Sequence, residues 1–121
     1  MTDIVKDNPF AALIGLRLGS VEFVMDYHQL RFDGGTRLEA LTSPVVRVGR
    51  DEFSVGDPGY RDALCEGIGA TVTAAKVEEN REAYVRLGDE IEIAISLRAE
   101  DYQDRPEALV FELDRDNFWV W

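Results

Sequence analysis

The chain holds one histidine, His28, in the run Asp26-Tyr27-His28, and one cysteine, Cys65, followed by Glu66. A lone imidazole cannot assemble a histidine-based metal cluster, and a nucleophile–histidine pair backed by further partners lacks its residues. Asp26, Tyr27 and His28 put three polar or amphipathic groups on one hairpin. Turn chemistry is the stronger reading of that trio, because Asp favours turns through local hydrogen bonds. Cys65 lacks the basic or cationic neighbour that a reactive thiolate needs, so a core or flanking position is expected. The carboxylate pairs Glu78-Glu79, Asp89-Glu90 and Glu100-Asp101 all fall in turns or a loop. Paired catalytic acids need surroundings that separate their pKa values, and turns are wet. None of the ten glycines has the phosphate-loop spacing followed by Lys and Ser or Thr. No catalytic residue, cofactor site or metal ligand is assigned on these grounds, and a non-enzymatic protein with no cofactor is expected.

Binding residues are easier to nominate. The C-terminal run Phe118-Trp119-Val120-Trp121 has no polar alternation, so both its faces are covered or one is a contact surface. Trp119 and Trp121 are the aromatic residues best placed to anchor a partner. Tyr27 and His28, the acids Glu100, Asp101 and Asp104, and the two tryptophans make up the candidate binding surface.

The elements that must position these residues form a pattern that occurs twice. From Leu13 to Leu41 the chain reads as an entry turn, a long strand, a hairpin, a second strand, a Gly34-Gly35 turn and a third strand. A weaker version runs from Gly67 to Ser96. Ile14-Gly15 falls on Ile68-Gly69, and Val21 and Phe23 fall on Ala75 and Val77. Leu30, Arg31 and Phe32 fall on Val85, Arg86 and Leu87, and Leu38 and Ala40 fall on Ile93 and Ile95. Gly19 stands where the first strand changes face, a place for a bulge. Asn8-Pro9 reads as an N-cap and first helical position, and Asp57-Pro58 opens a second helix over about residues 58–67. Residues 1–7 read as a loose start and 98–106 as a polar, irregular segment. The expected fold is α+β but mainly β. It is an antiparallel sheet or small barrel of two similar helix-plus-three-strand units, with two short helices, in one domain spanning 1–121.

Thirteen basic and twenty-four acidic residues leave a net charge of −11. Six basic and nine acidic residues in 1–60 leave −3, and seven basic and fifteen acidic in 61–121 leave −8. Such a surface repels phosphate backbones, so a nucleic-acid partner is not expected. No apolar run approaches the roughly 20 residues of a spanning helix, which argues against a membrane partner. The N-terminal ten residues lack the layout of a signal peptide, and one cysteine forms no internal disulfide; a cytoplasmic location is expected.

The run IGLRLGSVEFVMDYHQLRFDGG, then SPVVRVG, GDPGYRDALCEGIG and the closing FWVW, resembles a family of small bacterial proteins of unknown function. The resemblance spans nearly the whole chain and implies no activity and no site residues. Two functions stand. One is a protein-interaction module that binds a basic protein through an acidic face or the tryptophan tail, with an immunity-type inhibitor as the model and a homodimer left open. The other is a small-ligand-binding protein or minor enzyme with a groove near Tyr27, His28 and the terminal tryptophans.

Overall fold

The structure, a computed structural model, describes residues 8–121. The expectation for residues 1–7 lies outside them. Ten strands follow the sequence periodicity: β1 (Leu18–Val24), β2 (Tyr27–Phe32), β3 (Arg37–Ala40), β4 (Val45–Val48), β5 (Asp51–Phe53), β6 (Val72–Glu78), β7 (Glu82–Leu87), β8 (Ile91–Ser96), β9 (Leu109–Asp114) and β10 (Asn117–Val120). They build two five-stranded sheets, in the orders β1-β2-β3-β9-β10 and β5-β4-β8-β7-β6. Every pairing is antiparallel. The fold is therefore mainly β, with one α-helix among the described residues.

Period-two alternation turns one face of each sheet inward. In the first sheet, Leu30, Leu38 and Phe111 stand opposite one another across three strands and are all fully buried. In the second, Val85, Ile93 and Val46 form the corresponding row. Burying one such side chain contributes about 1.5–3 kcal/mol. The outward positions carry charge: Arg37 bonds Glu112 at 2.7 Å and Arg47 bonds Glu92 at 2.7 Å, each across a strand pair. The β1–β2 register shifts between Leu18 and Ser20, at Gly19, and the β6–β7 register shifts between Val72 and Ala74.

Both expected helices differ from the structure. The first is a 3-10 turn, Pro9–Leu13, and Asn8 makes no side-chain cap. Its amide instead spans the edge of β6, donating to the Ala75 carbonyl at 3.1 Å and accepting from Val77 N at 3.2 Å. Asn8 thereby fills two backbone positions that an edge strand leaves open. The second helix, α1 (Tyr60–Glu66), starts two residues late because Gly59 takes the N-cap at φ 85°. Asp57 turns back to accept from Ser54 N at 2.7 Å, and its carbonyl accepts from Tyr60 N at 3.2 Å. Gly67 or Gly69 could end the helix in the left-handed region; Gly67 has φ −76°, and Gly69 takes that conformation at +92°. Cys65 is exposed, not packed: Tyr60, Ala63 and Leu64 form the buried side of α1 and it lies on the other. The segment after β8 contains a 3-10 turn, Ala99–Asp101, and is fastened by Arg105, whose guanidinium donates to the carbonyls of Leu41 and Asp26.

Candidate functional site

Trp121 extends the pairing of the last strand with β9 by one residue. Trp121 N donates to the Leu109 carbonyl at 2.9 Å, and the Trp121 carbonyl accepts from Ala108 and Leu109 N. That pairing turns Trp119 and Trp121 toward the core side and leaves Phe118 and Val120 outward, at 63% and 43% exposure. Trp119 stacks on Phe111 with centroids 5.4 Å apart and planes 19° apart. Trp121 meets the edge of Phe10 at 5.9 Å. Both tryptophans are half-buried.

The indole N–H of Trp121 donates to Glu79 Oε1 at 3.1 Å. Glu79 belongs to the β6–β7 turn, where Asn80 takes φ 64° and Arg81 N donates to the Glu78 carbonyl at 3.0 Å. Asn tolerates that left-handed position better than a bulky residue does. Between this turn and β10 opens a cleft of about 400 Å³, with Tyr102, Trp119, Trp121 and Glu79 in its lining and Val77 and Leu97 as apolar wall. Among the described residues that line it, Glu79 is the only charged one.

Acids surround the same end of the molecule. Glu78 and Glu82 stand opposite each other on β6 and β7, and Glu82 stands opposite Ser96 on β8. The Ser96 hydroxyl donates to Asp101 Oδ2 at 2.5 Å, and Glu100 is exposed beside it. Like charges placed directly across a strand pair destabilise it, and Glu78 and Glu82 are such a pair. Arg81 and Arg98 lie in this rim, and neither is ion-paired among the described residues. Asp104 is in the same loop, exposed, at φ 66°. The tryptophan tail thus meets the acidic turn at Glu79 and the acidic loop at Tyr102, in one cleft. The sequence carried no local signal for it, because Glu79 and Trp121 are 42 residues apart.

Tyr27 and His28 do not join that cleft. As neighbours in β2 they point to opposite faces of the sheet. His28 lies in a row with Ala40, Leu109 and Trp121, at three strand spacings or about 14 Å from the last. Its own partners come from α1. The Tyr60 hydroxyl donates to the Pro44 carbonyl at 2.8 Å and lies 3.4 Å from His28 Nε2. With its proton committed to Pro44, that hydroxyl can only accept from His28, so Nε2 carries the imidazole proton. Nδ1 is then a bare acceptor, buried with no hydrogen-bond partner. The Phe23 ring covers His28 edge-on at 5.3 Å, and the Arg61 guanidinium sits 5.3 Å over Phe23. Burial, aided by Arg61, holds the His28 pKa below 6.5, and burial pushes Tyr60 up to about 12. Both groups are neutral at pH 7, with no nucleophile beside them. The cluster seals the end of the core more than it equips a reaction.

Among the described residues no group of three His, Cys, Asp or Glu side chains is arranged to hold a metal ion, and no helix is long and apolar enough to cross a membrane. No family model, curated protein or solved structure matches the chain.

Proposed function

We propose that the chain is a non-enzymatic protein-interaction module, one of a family of small bacterial proteins, that binds a basic protein through the acid-rimmed tryptophan cleft. An immunity-type inhibitor of a basic partner fits this description. The observation that carries the reading is the Trp121–Glu79 hydrogen bond, which makes the aromatic anchor and the acidic turn a single surface. Buried aromatic anchors supply affinity at interfaces, while surrounding charge accelerates encounter and selects the sign of the partner. The test is capture from a native lysate at low and high salt by the protein and by a Glu78→Lys, Glu82→Lys, Glu100→Lys variant. A basic partner, retained by the protein, weakened by salt and lost by the variant, supports the reading; an acidic partner, or one that ignores both changes, sinks it.

The volume of the cleft favours a second reading, a small-ligand-binding protein, since pockets of about 300–1,000 Å³ are the usual size for ligands. A saturable small-molecule ligand without any protein partner would select it.

The architecture supports a duplication with exchanged hairpins. Leu18 N bonds the Ala70 carbonyl at 3.0 Å while Val72 N bonds the Leu16 carbonyl at 2.8 Å, on either side of an Arg17–Thr71 bridge. The hairpin after the first three-strand unit, β4–β5, pairs with β8 of the second, and β9–β10 pairs with β3 of the first. In that reading the sheets are two halves of a barrel joined at the bridge. Fragments 1–56 and 57–121 should then fold only when mixed, as circular dichroism can report; a half that folds alone contradicts it.

A further inference from the structure

We propose that the cleft between β10 and the β6–β7 turn receives an arginine side chain of the partner, its guanidinium stacked among Tyr102, Trp119 and Trp121 and paired with Glu79. The proposal rests on the interaction reading above and names the group that enters. Among the described residues, three aromatic rings and one carboxylate line the cleft with no lysine or arginine in its walls, and Glu79 makes no ion pair. The indole N–H occupies Glu79 Oε1, which orients the carboxylate, and among the described residues Oε2 has no hydrogen-bond donor. Aromatic faces attract cations through the ring quadrupole, tryptophan most strongly. Val77 and Leu97 provide the apolar wall that a three-carbon stem can lie along. A guanidinium suits the site better than an ammonium. It is planar, stacks on aromatic rings, is weakly hydrated, and keeps further N–H groups for a carboxylate. Phe111 already covers one face of Trp119.

The chain's two tryptophans both line this cleft, so intrinsic fluorescence reports on it without a label. The whole protein is titrated with N-acetyl-arginine methylamide and with its neutral isostere, N-acetyl-citrulline methylamide. The arginine compound should shift the emission saturably and citrulline should bind about tenfold more weakly, the worth of one charge-assisted contact. Glu79→Gln keeps an oxygen for the Trp121 indole and so keeps the fold; its circular dichroism should match the parent while arginine binding falls about tenfold. Equal binding of citrulline, no effect of Glu79→Gln, or no saturable shift with arginine overturns the proposal. If the lysine-reversed rim variant still loses a basic partner while arginine fails to bind, the interaction reading survives and the arginine site alone falls.

Discussion

Trp121 reaches across 42 residues of sequence to give its indole N–H to Glu79 Oε1 at 3.1 Å, tying the last residue of the first sheet's edge to a turn of the second sheet. The same ring lies edge-on against fully buried Phe10. The bond is exposed, and its acceptor can be rehydrated when the donor is lost. Trp121→Phe should therefore cost at most about 1 kcal/mol. Trp119→Ala removes a ring stacked on Phe111 and should cost about 2–3 kcal/mol, less than a fully buried tryptophan because Trp119 is half-exposed. Urea unfolding of both variants measures the difference. A Trp121→Phe loss as large as that of Trp119→Ala would make the Glu79 bond a core element and not a surface one.

Two glycines should fail for opposite reasons. A Cβ on Gly67 would lie 2.6 Å from Leu87 Cδ1, in ordinary right-handed backbone, so Gly67→Ala should cost about 1–3 kcal/mol by overpacking. A Cβ on Gly69 meets nothing within 4 Å, but φ is +92°, so Gly69→Ala should cost about 1–2 kcal/mol in the backbone alone. Leu87→Val should partly rescue the first and leave the second unchanged. A double-mutant cycle showing equal coupling to both would refute the distinction.

The strands were legible because each carries its own alternation. Ile91, Ile93 and Ile95 announce β8 whatever surrounds them, and Gly19 marks the β1 bulge through its missing side chain. The caps were not legible. Asn8 and Asp57 both carry ordinary N-cap chemistry, yet Asn8 bonds the edge of β6 and Asp57 bonds Ser54 N. Which backbone group a short polar side chain finds depends on what the fold brings near it. The same holds for the site. Trp119 and Trp121 could be nominated from the chain, but Glu79 and Tyr102, which line the cleft with them, have no local signature. Tyr60 and Arg61, the partners of His28, are likewise more than 30 residues from it.

Tyr60 fastens α1 to the chain before β4. Its buried hydroxyl is the donor to the Pro44 carbonyl, so Tyr60→Phe strands a buried acceptor and should cost about 1–3 kcal/mol. The pH dependence has a definite sign. Burial raises Tyr60 from 10.0 to about 12, so the unfolded chain loses this proton first. The stability it contributes is complete below pH 10 and is lost as pH rises through about 12. Unfolding measured between pH 9 and 12 should fall more steeply for the parent than for Tyr60→Phe, and parallel curves would deny Tyr60 its raised pKa.

His28 should titrate in the opposite sense. It is neutral in the fold because burial disfavours the imidazolium, and Arg61 adds repulsion. The unfolded chain takes up the proton first as pH falls, so the stability that neutral His28 contributes is present above pH 6.5 and is lost as pH drops through its lower folded value. Since the chain has one histidine, its imidazole resonances need no assignment. A proton NMR titration should give a midpoint below 6.5. Arg61→Gln should raise that midpoint only part of the way, because burial is the larger cause. Phe23→Ala should raise it further by admitting water to the ring it covers. A midpoint at or above 6.5 in the parent would mean that His28 is solvated, and the seal formed with Tyr60 and Phe23 would then be open in solution.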